Sequence, residues 1–252
     1  MGTSKIQSSL LLIIMASSLL AACSSTTTGT PTPSATTATI SPAETQTAII
    51  NPTSTSTPAF SLTATSQVET MKQDMQKLAD QKLVSNAEGN YFRVQDFTGE
   101  WAKLGYYHWW PLNRKPTNFS IRADVTWETA VPNANLSKAG CGFVFHEQGA
   151  DNLHFSYLSM DGVVRNYRVE KKVFADLQAG TAGKFKYPSD SAKIMLVVDH
   201  QWIAFFVNNK MILRFKDNHL NGGGLSYAVA SGTNNGFGTR CTFQNVELWE
   251  FN

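Results

Sequence analysis

The chain has 252 residues, of which 42% are hydrophobic and 16% are charged, and its formal net charge is +2. The nearly balanced and dispersed charge excludes the basic stripe on which nucleic-acid binding depends. Three cysteines are too few for a small disulfide-rich scaffold.

Residues 1–22 have the pattern of a signal peptide. Lys5 supplies a positive start, and residues 8–20 form an apolar segment that is too short for a comfortable membrane span. The next motif, LAAC at residues 20–23, resembles the bacterial lipobox, in which the cysteine carries a diacylglycerol. The alternative is an ordinary signal peptide with an incidental cysteine. We expect a protein anchored to a bacterial membrane by lipid on Cys23, with its folded part facing the cell exterior.

Residues 23–66 are predicted to form a disordered stalk behind the lipidated cysteine. Ser, Thr and Pro make up 28 of the 43 residues from 24 to 66, and Glu44 is the single charge. Such a composition buries too little apolar surface to offset the entropy lost on ordering. The stalk would hold the rest of the chain away from the lipid surface.

Residues 67–88 are predicted to form an amphipathic helix. Ser66 and Glu69 have the spacing of a capping box, and apolar residues recur at helical intervals from Val68 to Leu78. The apolar stripe is narrow and too short for a coiled coil, so we expect it to dock on the following domain.

Residues 89–252 are predicted to form an all-β domain, an antiparallel β-sandwich. Aromatic and β-branched runs are bounded by turn residues, and Asp161-Gly162 and Asn208-Asn209 suit tight hairpins. The predicted strands are 119–127, 140–147, 153–160, 163–171, 193–200, 202–209, 211–216, 224–231 and 241–251.

Five segments of this domain resemble the concanavalin A-like lectin/glucanase jelly-roll superfamily, in particular its laminin-G-like (LamG-like) and 3-keto-disaccharide-hydrolase-like domains. They are GCGFVFHE, NLHFSYLSMDG, WIAFFVNNKMI, NGGGLSYAVASG and TFQNVELWEF. The resemblance covers residues 105–252 and implies a jelly roll of two curved sheets whose concave face commonly binds glycans. Asn209 stands where the family usually has glycine. The motifs are mostly turns and core positions, so they indicate fold more than activity.

Cys141 and Cys241 are the remaining cysteines after Cys23. Each lies two residues before a phenylalanine and points to the same face of its strand as that ring. An oxidising exterior favours a disulfide between them, and two buried thiols are the alternative.

The ligand-binding hypothesis begins with GYYHWWPL, residues 105–112. If this segment is extended, Tyr107 and Trp109 face one side, and either could cover the flat C–H surface of a sugar ring. The alternative is that both rings are buried in a core. His146, Asn152 and His154 are predicted to add polar contacts if they line the concave sheet, although residues of these types are often structural.

No complete catalytic motif is present. Asp124 and Glu128 share a strand face as a remnant of the family's carboxylate triplet, with Thr126 in the middle position. DNHLNG at residues 217–222 matches only half of a calcium loop, so no metal ligands or cofactors are assigned, although calcium held by loop carbonyls is an open alternative.

Three functions are therefore considered. The first is a lectin-like module that binds extracellular carbohydrate. The second is a protein-interaction or envelope-structural module. The third is a glycoside hydrolase of the keto-disaccharide type, which the incomplete motifs disfavour.

Overall fold

The structure is a computed structural model that describes residues 60–252, with side chains from residue 65 onward. The predicted signal peptide (1–22), Cys23 and most of the predicted stalk lie outside these residues. Residues 60–252 contain no helix that is long and apolar enough to cross a membrane.

One helix and thirteen strands make up the described part of the chain, and the strands form two antiparallel sheets. The seven-stranded sheet has the order β1-β13-β4-β9-β10-β11, and β2 also pairs with β13. The six-stranded sheet has the order β3-β12-β5-β6-β7-β8. The elements are α1 Phe60–Asp80, β1 Gly89–Arg93, β2 Phe97–Trp101, β3 Tyr107–Arg114, β4 Phe119–Thr129, β5 Gly140–Glu147, β6 Asn152–Ser159, β7 Val163–Glu170, β8 Val173–Thr181, β9 Ser189–Asp199, β10 Trp202–Val207, β11 Lys210–Lys216, β12 Gly224–Ala230 and β13 Thr239–Phe251.

The predicted antiparallel β-sandwich is confirmed. The nine predicted strands correspond to β4–β7 and β9–β13, GYYHWWPL contributes β3, and β1, β2 and β8 are additional. The hairpin between β10 and β11 turns at Asn208 and Asn209, which have φ values of 50° and 64°. Asn tolerates this left-handed conformation, which explains how it replaces glycine there.

The main core lies between the two sheets and is built from alternate residues of their strands. Phe119, Phe143, Phe205 and Phe243 are fully buried in it. The predicted disulfide between Cys141 and Cys241 is confirmed, and it joins β5 of one sheet to β13 of the other.

Helix α1 packs on the outer face of the seven-stranded sheet, as the apolar stripe predicts. Met71 and Met75 are fully buried against a surface that includes Phe206 and Trp249. The predicted bounds of 67–88 are wrong, because the helix spans Phe60–Asp80. Ser66 lies inside it, where its carbonyl accepts a hydrogen bond from Thr70 Oγ1 at 2.8 Å. Residues 60–66, which were assigned to the stalk, are therefore helical.

Candidate functional site

The outer face of the six-stranded sheet carries a second layer of large apolar side chains. In β6, Phe155 and Tyr157 point outward, whereas Leu158 points into the core between the sheets. In β3, Tyr107 and Trp109 lie on the same outer face and Trp110 packs against the core. The alternation predicted for GYYHWWPL is therefore present.

Small residues in the two central strands make room for these rings. Gly142 of β5 pairs with Ala228 of β12 on one side and with Tyr157 of β6 on the other. A Cβ atom on Gly142 would lie 2.7 Å from Tyr157 Cβ, which is closer than real Cβ atoms approach their neighbours. Gly140 and Ala230 occupy the adjacent row of the same face. The Tyr157 ring uses this space, since a Cβ atom on Gly140 would lie 2.7 Å from Tyr157 Cδ2.

The rings form a continuous row across the sheet, from edge strand β3 to edge strand β8. Neighbouring ring centroids are separated by 5.7 Å for Trp109 and Tyr107, 4.4 Å for Tyr107 and Phe155, and 4.6 Å for Phe155 and Tyr157. The row continues at 6.0 Å from Tyr157 to Tyr167 and at 4.7 Å from Tyr167 to Phe174. We call these six residues the aromatic face.

The middle of the aromatic face is covered and its two ends are open. Phe155 and Tyr157 are 2% and 3% exposed, whereas Phe174 is 53% exposed. Tyr107, Trp109 and Tyr167 are half-buried. Burial raises the pKa of Tyr107 to about 12, so its hydroxyl stays protonated in any ordinary buffer and can donate a hydrogen bond. The rings at the two ends are therefore accessible to a ligand, and the buried rings in the middle pack against them.

An ion pair borders the row. Arg165 is the cross-strand neighbour of Tyr157, and its guanidinium forms a fork with the Asp161 carboxylate at 2.7 and 2.8 Å. Burial would raise the pKa of Asp161, but the hydrogen bonds from Arg165 and Ser159 lower it. The carboxylate is therefore ionised at neutral pH, and the pair presents charged donors and acceptors beside the rings.

The five residues predicted to bind ligand are not brought together. Tyr107 and Trp109 share the aromatic face. His146 is 2% exposed and lies beneath the loop at 217–222, where its Nε2 donates to the Thr117 carbonyl at 3.1 Å. His154 is 1% exposed and stacks on Phe145 in the interior, and Asn152 Oδ1 accepts a hydrogen bond from the Lys171 N–H. His146, Asn152 and His154 therefore do not lie beside the rings, and the ligand-binding role of the five residues stays a prediction.

His154 instead belongs to a buried charge cluster with Asp217 and Arg168. Its Nε2 lies 3.6 Å from Asp217 Oδ1, and Arg168 Nη1 donates to Asp217 Oδ2. Burial alone would raise the pKa of Asp217, but the imidazole of His154, the His219 N–H and the guanidinium of Arg168 lower it to about 2. This cluster fixes the start of the loop between β11 and β12.

The two carboxylates considered for catalysis lie on the opposite side of the sandwich. Asp124 and Glu128 alternate with the core residues of β4 and so face outward from the seven-stranded sheet. Asp124 accepts a hydrogen bond from Asn245 at 2.9 Å, and Glu128 pairs with Arg240. Within residues 60–252, no three His, Cys, Asp or Glu side chains are grouped as a metal site. Calcium held by loop carbonyls stays a prediction.

Sequence reasoning missed four members of the aromatic face: Phe155, Tyr157, Tyr167 and Phe174. A signal for them exists in the alternation Gly140-x-Gly142 and Ala228-x-Ala230, because small residues at every second position of two strands leave space on one face. That signal becomes meaningful only once β5 and β12 are known to be neighbours.

The chain matches no protein-family model, and comparison with curated proteins finds no match. Among solved structures it is similar to the carbohydrate-binding module CBM66 from Bacillus subtilis, with a TM-score of 0.47 and 9% identity over 63% of this chain and 95% of that one. It is also similar to a β-fructofuranosidase from Aspergillus kawachii (TM-score 0.44, 16% identity, 65% of this chain and 28% of that one) and to sheep galectin-11 (0.39, 13%, 58% and 98%). At these values the similarity carries no information about ligand or activity, so the function is inferred from the side chains of this chain.

Proposed function

We propose that this protein is a carbohydrate-binding module and that its aromatic face is the binding surface. The observation that carries the proposal is the row of six rings, with open ends at Tyr107 and Trp109 and at Tyr167 and Phe174. Aromatic faces cover the C–H patches of sugar rings, and the Arg165–Asp161 pair supplies partners for hydroxyl groups. The two open ends lie on edge strands β3 and β8, five strand spacings or about 24 Å apart at about 4.8 Å per spacing. A ligand that contacts both ends would therefore be an oligosaccharide of several units.

The test is a glycan-array screen of the full chain in detergent, beside its Trp109→Ala and Tyr167→Ala variants. We expect binding to a set of oligosaccharides and at least tenfold weaker binding for each variant, because each loses one of the half-buried rings at the open ends of the row. The matched control is Phe237→Ala, which removes a half-buried ring that stacks under Arg240 away from the aromatic face. Silence of the wild-type chain across a broad panel, or equal losses in the control, would overturn the proposal.

Protein binding is a second candidate, favoured by two exposed apolar side chains at the start of edge strand β8. Val173 is 67% exposed and Phe174 is 53% exposed. Exposed apolar residues on a strand edge are typical of a contact with another chain. A Val173→Ser/Phe174→Ser variant that loses a co-purifying protein and keeps full glycan binding would assign this end to protein recognition.

We further propose that the module is displayed outside the cell by lipid on Cys23. The support is the signal-peptide pattern and the LAAC motif at residues 20–23. We expect the wild-type chain to sediment with membranes and to enter the detergent phase on phase separation, and Cys23→Ala to remain in the aqueous phase. Cys241→Ala serves as the cysteine control and should still partition with detergent. A Cys23→Ala chain that also partitions with detergent would contradict lipid anchoring.

A further inference from the structure

A cleft opens where the edges of the two sheets meet on the β3 side of the sandwich. It lies between residues 93–97, which lead from β1 into β2, and residues 110–114 of β3, and Tyr227 also lines it. Its volume is about 390 Å³, within the range of roughly 300–1,000 Å³ that is usual for small-ligand sites. We call it the edge cleft. It is separate from the aromatic face, because Trp109 points to that face and Trp110 points into the cleft.

Aromatic rings form one wall and the floor of the edge cleft. Phe97 stacks on Tyr227 with a centroid separation of 4.9 Å and an interplanar angle of 3°, and it lies 5.1 Å from Trp110. Tyr227 is 4% exposed and serves as the floor, whereas Phe97 and Trp110 are half-buried and leave ring surface open. A compact ligand with an apolar face would fit against these rings.

Two side-chain amides on the rim have no hydrogen-bond partner within residues 60–252. Gln95 and Asn113 are exposed, and neither side chain hydrogen-bonds to another residue of the described part of the chain. Each amide both donates and accepts hydrogen bonds, as a sugar hydroxyl does. Asn113 also has a φ of 57°, so only a few residue types suit its position.

The charges at the edge cleft are already neutralised. Arg93 pairs with Asp96 at 3.0 Å, and Arg114 pairs with Glu250 at 2.9 Å. Because each guanidinium already faces a carboxylate, the cleft favours a neutral ligand over an ionic one.

Hydrogen bonds within the chain hold the walls of the edge cleft in place. The Tyr227 hydroxyl donates to the Gln95 carbonyl at 2.5 Å, and Arg93 donates to the Val246 carbonyl at 2.8 Å. These bonds fix the segment before β2 against both sheets, so binding would cost little ordering entropy.

We propose that the edge cleft is a second saccharide site that takes a single neutral pyranose unit. The inference rests on the proposed carbohydrate-binding function for the class of ligand, and on the cleft itself for the location. A short cleft suits one sugar unit, whereas the aromatic face spans several.

The test is a two-dimensional NMR titration of the full ¹⁵N-labelled chain in detergent micelles. The probes are the methyl glycosides of glucose, galactose, mannose, xylose and N-acetylglucosamine, each added alone. We expect at least one probe to shift the backbone amides of Gln95 and Asn113 and the Trp110 indole N–H in a saturable way, with the Trp109 indole N–H unchanged. Spectra of Trp109→Phe and Trp110→Phe assign the two indole signals.

The test variant is Gln95→Ala/Asn113→Gly, since glycine keeps the left-handed backbone at residue 113. We expect its affinity for the active probe to fall at least fivefold while its spectrum remains that of a folded protein. The control is Gln244→Ala, which removes an exposed amide on β13 and should bind normally. No shift at the edge cleft with any probe, or unchanged affinity in the double variant, would overturn the proposal. The aromatic face is reported separately by Trp109, so failure of one site is distinguishable from failure of the other.

Discussion

His146 is a buried imidazole whose protonation opposes folding. Burial lowers the pKa of His146 to about 4, against 6.5 for a free side chain, although the hydrogen bond of its ring to the Thr117 carbonyl acts in the opposite direction. Between these two values the unfolded chain binds more protons than the folded one. Stability therefore decreases as the pH falls from about 6.5 towards 4.

We predict that replacing His146 by Asn flattens this pH dependence. Asn suits the φ of 48° at this position and does not titrate. Wild-type chain should lose about 3 kcal/mol through His146 between pH 7 and pH 4, and His146→Asn should not show that loss. Urea unfolding at pH 7.0, 5.5 and 4.5 measures this. His219→Asn is the control, since His219 is half-exposed, and the prediction is wrong if both variants keep the wild-type slope.

The position of His154 inside the sandwich has a physical reason at the same scale. The segment Leu153-His154-Phe155 alternates faces, but both faces of β6 are covered by large side chains, one by the core and one by the aromatic face. In a sheet buried on both sides, a polar residue between two apolar ones does not identify the outward face. Trp109 and Trp110 lie in edge strand β3, which has fewer competing contacts than a central strand. The alternation was therefore sufficient to predict that Trp109 and Trp110 face opposite sides.

Arg122 connects helix α1 to the seven-stranded sheet. Its Nη1 lies 2.7 Å from Asp74 of the helix and its Nε lies 2.5 Å from Glu247 of β13, while only 14% of its side chain is exposed. The Tyr91 hydroxyl donates to the other oxygen of Glu247 at 3.0 Å. Without the guanidinium, two carboxylates would face each other across the helix–sheet interface.

We predict that Arg122→Met destabilises the domain by about 3 kcal/mol, because it leaves Glu247 largely buried without its cation. Helix α1 should also become the first site of cleavage in limited proteolysis. Lys77→Met is the matched control: it removes the exposed partner of the same Asp74, and its cost should stay below about 1 kcal/mol. Equal unfolding free energies for the two variants would show that Arg122 does not join helix and sheet.

The sequence pattern predicted the bounds of elements with strong alternation well and those of the other elements poorly. β4 and β10 are rich in aromatic and β-branched residues, and their predicted bounds differ from the observed ones by two residues or fewer. β8 contains Ala175, Asp176 and Gly180 in an exposed edge strand, so its side chains carry little periodic signal. Ser66 and Glu69 have the spacing of a capping box, but they lie within a longer helical run. The helix therefore begins before the predicted cap.

At the scale of the whole molecule, a disulfide bond cross-links the two sheets. Cys141 and Cys241 are separated by 100 residues and are both fully buried, with 1% and 0% exposure. A cross-link that closes so long a loop restricts the unfolded chain strongly.

We predict that Cys141→Ala/Cys241→Ala loses up to about 4.7 kcal/mol of unfolding free energy, on the loop-closure model for about 100 residues. Urea unfolding of the oxidised wild type and the double variant at pH 7 measures the difference. The fold should persist in the variant, because the Phe-rich core on either side of the bridge is retained. A difference below about 1 kcal/mol would mean that the unfolded chain is already compact enough to make the bridge redundant.

The position of helix α1 bears on how the protein would work under the proposed lipid anchoring. Helix α1 covers the outer face of the seven-stranded sheet. The aromatic face lies on the opposite side of the sandwich, on the outer face of the six-stranded sheet. The aromatic face is thus on the sheet that helix α1 leaves uncovered, where a large polymer can reach it. Many copies on one envelope could then bind the same polymer simultaneously, so that weak individual affinities would give a high overall avidity.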